Sequence, residues 1–362
     1  MSNVASRTKI KLLVVDDSAY NRRNIADIFA GHPDVEIVGK AADGEEALRL
    51  AVMLKPDVIT LDLEMPRMDG FTFLRILMAK QPTPVIVVSS YAQKENVFKA
   101  LELGALDFVT KPDRQPANDV TGLRDQILTK VLQLRGTRPA LARFAQPRRV
   151  PSGIFPDGAT PSTAPPMRTP TYIAPRYLVA IASSTGGPSA LLEIFSRIPA
   201  STSAAFVIAQ HMPDKFTRTF AERLAKRGQI RTTEAQDGDR VPARAGFVCP
   251  GRQCMEIFAG GGEMRLRVGP PGVHDKYVPS GDRLLRTAAA AGGSRTIGVI
   301  LTGMGDDGVE GARAIREAGG TVIAESQESA VVYGMPGAAV RAGVVSRELS
   351  LTQIADYLAQ LG

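Results

Sequence analysis

LVAIASSTGGP, residues 178–188, decides how the chain is read. Leu178, Val179, Ala180 and Ile181 favour a buried strand and run into two serines, Thr185 and the Gly186-Gly187 pair; Leu191-Leu192-Glu193-Ile194-Phe195 then reads as a helix. The pattern predicts a strand, a tight turn and a helix. At the C-terminal edge of a parallel sheet such a turn lifts a hydroxyl out of the fold, and the free N–H groups of the helix start face whatever reacts there. Ser184 is therefore the candidate nucleophile. These residues alone leave open a Gly-rich turn that cradles a phosphate or merely connects two elements.

A serine hydroxyl is a weak nucleophile without a base and a group that orients the base. The chain holds three histidines, His32, His211 and His274. His211 follows the apolar run 204–209 and stands in QHMP, at the expected strand end where the reactive residues of open α/β sheets collect. Another apolar run, 297–301, leads into TGMGDDG, which offers Asp306 and Asp307. Three strands thus deliver Ser, His and Asp to one edge of one sheet. His32 and His274 fall in expected loops without the partners a metal site needs.

At STGGP, QHMPDKFTRTFAERL and LTGMGDDGVEG the chain resembles the bacterial chemotaxis protein-glutamate methylesterases, in their three active-site motifs. The resemblance implies that the nucleophile is Ser184 rather than Ser183, the base His211, and the orienting carboxylate Asp307 rather than Asp306, which occupies a variable position and reads as a solvated acid capping a helix. It further implies an oxyanion site at the backbone of Thr185, Gly186 and Gly187 and at Met304, a residue that the sequence equally allows as core packing. The implied substrates are glutamate γ-methyl esters on the methyl-accepting chemoreceptors, with deamidation of particular glutamines by the same acyl-enzyme route. A phosphorylation-dependent binding module with an inactive hydrolase-like domain is the rival reading. A nucleotide-binding domain is disfavoured, since the turn lacks GxGxxG and an acidic ribose partner.

Length and composition fit this organisation. The 362 residues, 44% of them hydrophobic, are enough for two or more globular domains. No run of about 18 apolar residues appears, so no membrane insertion is expected and the protein is placed in the cytoplasm. The net charge of +7 is concentrated in residues 126–177, with 8 Lys/Arg against 1 Asp/Glu, while the flanking regions are near balance. That distribution marks a basic connector rather than a nucleic-acid-binding surface. Cys249 and Cys254, without nearby ligands, read as ordinary thiols.

Residues 9–125 alternate apolar strands (near 9–15, 36–40, 58–61, 85–89 and 107–110) with amphipathic helices, which predicts a five-stranded parallel, doubly wound sheet. Asp16 and Asp17, Asp62, Ser89 and Lys111 fall at the ends of the first, third, fourth and fifth strands. Clustered carboxylates repel one another unless a hard divalent cation such as Mg2+ sits among them; Asp62 is then placed to attack phosphorus and Lys111 to neutralise phosphoryl oxygens. DDS, LDLEMPRMDG, VVSS and VTKP resemble the response-regulator receiver domain. That resemblance implies Asp62 as phospho-acceptor, Mg2+ held by Asp16, Asp17, Asp62 and the Glu64 backbone carbonyl, Ser89 and Phe108 as the switch pair, and a chemotaxis histidine kinase as phosphodonor.

Residues 1–135 are thus expected to form the receiver, 136–176 a Pro-rich basic tether, and 177–362 a doubly wound, mostly parallel hydrolase domain with an antiparallel excursion around 246–268. Arg138, Arg143, Arg148, Arg149 and Arg168 leave open a docking role for the tether. The family resemblance implies that the unphosphorylated receiver covers the active site. Four positions depart from the family pattern: Ala182 for glycine, Cys254 for histidine, Gly281 for an aliphatic residue and Gly337 for a charged one.

Overall fold

The computed structural model describes residues 8–90, 94–111, 119–134 and 172–362. Most of the Pro-rich tether, with its five central arginines, lies outside these residues. The first sheet is built from β1 (Ile10–Val15), β2 (Val35–Ala41), β3 (Val58–Leu61), β4 (Val85–Ser90) and β5 (Asp107–Lys111), all parallel, in the order β2-β1-β3-β4-β5. Its helices are α1 (Ala19–Ile28), α2 (Gly44–Leu54), α3 (Gly70–Lys80), α4 (Lys94–Glu102) and α5 (Asp119–Gln133). Every residue of β3 is buried, as a central strand covered by helices on both faces requires. Side chains at the first helix starts define the boundaries: Ser18, Asp43 and Asp69 each accept the N–H three residues on.

The second sheet has seven parallel strands in the order β14-β13-β12-β6-β7-β9-β8. They are β6 (Tyr177–Ser183), β7 (Ala204–Gln210), β8 (Arg231–Glu234), β9 (Ala245–Val248), β12 (Thr296–Ile300), β13 (Thr321–Glu325) and β14 (Arg347–Leu349). The central β6 and β7 are apolar along almost their whole length and buried on both faces. Around them run α6 (Gly187–Phe195), α7 (Asp214–Arg227), α8 (Gly281–Gly292), α9 (Val309–Glu317), α10 (Met335–Arg341) and α11 (Leu351–Ala359). The chain proceeds outward from β6 through β7 on one side and through β12 on the other, so the crevice at the C-terminal ends of β6 and β12 is the topological switch point.

The fold class follows the sequence expectation, and four details differ. The antiparallel excursion is confined to a separate hairpin, β10 (Cys254–Gly260) and β11 (Glu263–Gly269), because β9 pairs in parallel with both β7 and β8. The last strand lies at 347–349 rather than 344–345, where Val344 packs into the core instead. Helix α10 has no counterpart in the sequence reading, since MPGAAVR is too short and too Gly/Pro-rich to signal a helix; Pro336 sits in its first turn, where a missing N–H costs nothing. Residues 172–176, expected at the end of the tether, lie on the second domain. The Met264 N–H donates to Tyr172 Oη at 2.9 Å and the Ala243 N–H to the Ile173 carbonyl at 2.8 Å.

The two units meet through an aromatic cluster. Phe98 of α4 stacks on Phe220 of α7 with ring centroids 5.8 Å apart, and Phe108 of β5 lies 4.6 Å from Phe216. All four rings are buried, and each such aromatic pair contributes about 0.5–1.5 kcal/mol beyond its buried area. Arg223 of α7 reaches over Phe98 and donates to Glu95 at 2.5 Å and to Glu102 at 2.8 Å.

Candidate active site

Ser184, His211 and Asp307 follow three strands of the second sheet, and the parallel register makes them neighbours. Ser183 is paired with Gln210, so the residues after them emerge side by side, and the His211 N–H donates to the Ser183 carbonyl at 3.0 Å. Gln210, buried beneath the turn, fastens both: its side-chain amide donates to the carbonyls of Ser184 (2.9 Å) and His211 (3.0 Å), while its Oε1 accepts from Ser183 Oγ (2.6 Å). This explains why Ser183 is not free to react. Gly186 has φ +80°, the left-handed conformation that turns the chain from β6 into α6, and a Cβ on Gly187 would come within 2.1 Å of Gln210 Oε1.

Asp307 is buried, with every contact directed. Its Oδ2 lies 2.8 Å from His211 Nε2 and accepts the Gly281 N–H at 2.7 Å; Oδ1 accepts the Asp282 N–H at 2.9 Å. Gly281 and Asp282 open α8, so the carboxylate sits at a helix N-terminus, where partial positive charge and free N–H groups stabilise an anion. Asp282 is itself half-buried, and desolvation pushes its carboxyl upward. Asp306 does not cap a helix: α9 begins at Val309 behind Gly308, and Asp306 Oδ1 accepts from Lys276 Nζ and Tyr277 Oη, both at 2.8 Å.

Ser184 is partly exposed, and its Oγ makes no hydrogen bond among the described residues; its backbone N–H donates to the Thr302 carbonyl at 3.0 Å. The Gly187 N–H is engaged within the turn by the Ser184 carbonyl at 2.8 Å. Among the described residues, the N–H groups of Thr185, Gly186 and Met304 have no such partner. Met304 is 46% exposed, which removes core packing as its role. Thr302 supports the turn from below, with Oγ1 donating to the Thr185 carbonyl at 2.8 Å and its N–H donating to the buried Glu325 at 2.9 Å.

The sequence reading missed Gln210, Thr302 and Tyr277. Gln210 and Thr302 stand within QHMP and LTGMGDDG, but nothing in their local pattern tells an anchoring polar group from one more strand residue. Tyr277 comes from a loop far away in sequence, with its ring stacked on the His211 imidazole. Cys254 is buried, with Sγ 3.6 Å from Asp275 Oδ2; burial pushes both cysteine thiols up, so they stay protonated.

At the C-terminal edge of the first sheet, Asp16, Asp17 and Asp62 bring carboxylate oxygens within 4.8 Å of one another. Asp62 Oδ1 accepts the Leu63 N–H at 2.7 Å, and Lys111 Nζ lies 2.5 Å from Asp62 Oδ2 and 2.9 Å from Asp16 Oδ2. Burial pushes the Asp62 carboxyl up, aided by the Asp16 charge, and outweighs the pull of Lys111. Burial also opposes the Lys111 charge, but the two carboxylates more than reverse that and raise its pKa. Asp16 Oδ2 is buried and, apart from that ion pair, has no hydrogen-bond partner. An all-carboxylate set with a buried, underused oxygen fits a hard divalent cation. Ser89 is buried at the end of β4 beside β5, and Phe108 lies in the interface described above.

The end of α5 reaches the turn that carries Ser184. Thr185 Oγ1 donates to Gln133 Oε1 at 2.9 Å, and Val331 and Val332 pack with the Val131 and Leu134 cluster of the first unit. Among the described residues, no helix is long and apolar enough to cross a membrane.

Residues 179–358 match the family model described as CheB methylesterase, and residues 12–117 the response regulator receiver domain. The chain is 43% identical to a protein-glutamate methylesterase/protein-glutamine glutaminase of Myxococcus xanthus, covering 99% of each chain, and 45% identical to one of Geobacter sulfurreducens, covering 97% of each. The crystal structure of the Thermotoga maritima CheB methylesterase catalytic domain aligns with a TM-score of 0.50 at 36% identity, covering 51% of this chain and 98% of that one.

Proposed function

Because this chain belongs to the CheB methylesterase family and carries a receiver domain ahead of its ester hydrolase, we propose that Ser184, His211 and Asp307 remove γ-methyl groups from chemoreceptor glutamates, and amide nitrogen from receptor glutamines, under control of Asp62 phosphorylation. The observation that carries the reading is the 2.8 Å bond between His211 Nε2 and the buried Asp307, at strand ends adjoining Ser184.

With Nε2–H donating to Asp307, the lone pair of the neutral imidazole is on Nδ1, the one nitrogen left for Ser184. His211 takes the Ser184 proton as Oγ attacks the ester carbonyl, and Asp307 stabilises the imidazolium. The Ser184–His211 bond forms in the substrate complex; catalytic hydrogen bonds are often slack without substrate. The oxyanion meets the N–H groups of Thr185, Gly186 and Met304, each worth about 2.7–4 kcal/mol of barrier in a comparable site. The imidazolium returns its proton to the leaving methoxide, or to the leaving amine in deamidation. Water then attacks the γ-glutamyl ester with His211 again as base, restoring Ser184 and releasing glutamate.

In the receiver, Asp16, Asp17, Asp62 and the Glu64 carbonyl would hold Mg2+, which when bound offsets negative charge at the acceptor carboxylate. Asp62 attacks the phosphorus of the kinase's phosphohistidine, and Lys111 and Ser89 receive the phosphoryl oxygens. Closing of Ser89 draws Phe108 from its place against Phe216, which loosens the interface. The contacts of Gln133 with Thr185, and of α4 with α7, support the reading that the resting receiver obstructs the turn bearing Ser184.

The test is methanol release from a methylated receptor fragment by wild type and Ser184→Ala, each with and without acetyl phosphate and Mg2+. The expected result is release that rises with the phosphodonor and disappears in the mutant. Absence of release from wild type in both conditions would leave the inactive binding module as the surviving reading. Deleting residues 1–171, which spares Tyr172 and Ile173, should raise activity above that of the unphosphorylated full chain; equal rates would remove the obstruction hypothesis.

A further inference from the structure

The loop 270–279 is built to hold one ring. Tyr277 stacks on the His211 imidazole with centroids 5.4 Å apart and planes 11° from parallel. Its hydroxyl donates to Asp306 Oδ1 at 2.8 Å, and Lys276 Nζ donates to the same oxygen at 2.8 Å. Those two donors hold the Asp306 carboxyl below the ordinary carboxylate range, so it remains a charged acceptor. Two residues before Tyr277, Asp275 Oδ2 accepts the Gly272 N–H at 2.7 Å and Arg283 Nη1 at 2.9 Å, while Arg283 Nε donates to Glu256 at 3.0 Å. The loop is thereby tied to α8 and to β10. Opposite the hydroxyl, Gly305 has φ +92°, and a Cβ there would come within 2.3 Å of Tyr277 Oη. The second glycine of TGMGDDG is thus the room that the tyrosine occupies.

One hydrogen bond to Nε2 fixes a point on the imidazole but not its plane. The base needs both, because the Nδ1 lone pair is directional and has to meet Ser184 Oγ. We propose that Tyr277, anchored by Asp306 and Lys276, is a positioning residue that fixes the plane of His211 and lies against the imidazolium as it forms. The inference rests on the reading of His211 as the general base. A charged imidazolium over an aromatic face is stabilised more than a neutral ring, so the contact strengthens between ground and transition state. Its loss therefore lowers kcat and leaves KM nearly unchanged.

The experiment uses the full-length chain with acetyl phosphate and Mg2+, and measures kcat and KM for methanol release from a methylated receptor fragment. Tyr277→Leu is expected to lower kcat about 10- to 100-fold, the scale of a small misplacement of a reacting group, with KM within about twofold of wild type. Tyr277→Phe keeps the ring and should recover most of that loss. Asp306→Ala, at an exposed position, releases the hydroxyl and should lower kcat about three- to tenfold. A Tyr277→Leu protein that melts like wild type and keeps its kcat, or that changes only KM, overturns the proposal. Should Tyr277→Leu not fold, the decision passes to Asp306→Ala, and an unchanged kcat there overturns it equally. His211→Gln separates the two levels: full activity in that variant defeats the triad itself, whereas its inactivity beside a fully active Tyr277→Leu defeats only the role of Tyr277.

Discussion

Both sheets end in a buried aspartate at the same topological place, the C-terminal edge beside the switch point, yet their surroundings differ in every electrostatic respect. Asp62 shares its pocket with two further carboxylates and relies on Lys111 for countercharge; burial pushes its carboxyl up. Asp307 has two N–H groups of a helix start and one imidazole, so both of its oxygens are satisfied within the fold. The first is short of positive charge and suited to acquiring a cation and a phosphoryl group. The second is complete and suited to orienting a base without changing. Doubly wound sheets supply the location, and the residues contributed by neighbouring elements decide the chemistry.

The sharpest way to break this contrast is to remove each carboxylate charge in turn. Asp307→Asn should lower kcat for ester hydrolysis by about 10⁴-fold, because the amide no longer holds the imidazole in the correct tautomer, whether or not a phosphodonor is present. Asp62→Asn should instead bring the ratio of stimulated to resting rates to about 1 and eliminate phosphoryl incorporation from acetyl phosphate. If Asp62→Asn reduced both rates as Asp307→Asn does, the two sites would not have separate tasks.

A smaller effect tests the link between the sites. Arg223→Ala removes two ion pairs and a cation–π contact between α7 and α4, together worth about 1–2 kcal/mol. The unphosphorylated rate should then rise about 5- to 30-fold and the phosphorylated rate change little. An unaltered resting rate would show that the aromatic cluster and the contacts of α5 hold the units together without Arg223.

The smallest effect concerns two departures from the family pattern that touch in space. A Cβ at Gly281 would lie 2.8 Å from the Ala182 Cβ and 2.9 Å from Asp307 Oδ2. Gly281→Ala should therefore cost about 1–3 kcal/mol, and adding Ala182→Gly should return about 1 kcal/mol, the remainder being the contact with Asp307. Urea unfolding of the two single variants and the double variant measures the coupling. Simple additivity would mean that the two positions are independent.

Legibility in the sequence followed the range of the interactions. Strands β3 and β6, helices α2 and α8 and the motif-bearing turns were read from apolar runs and turn residues that lie together in the chain. Helix α10 and the placement of β9 were not, because both depend on partners brought from elsewhere. Asp306 looked like a helix cap because its neighbours resemble a helix start; its actual partners, Lys276 and Tyr277, are some thirty residues away. Tyr172 and Ile173 looked like tether because composition does not reveal that Met264 and Ala243 have N–H groups directed at them.

The sequence by itself determined two doubly wound units, the basic stretch between them, and the residue types that reach each sheet edge, since hydrophobic period and turn chemistry are local properties of a chain. Tertiary structure alone decided which nitrogen of His211 faces Asp307, that Gly187 has no N–H to spare, that Gln210 ties the ends of the Ser184 and His211 strands together, and that Tyr277 covers the imidazole. Those facts are directions and distances between residues remote in sequence, and they come into existence only when strand order and packing bring the residues together.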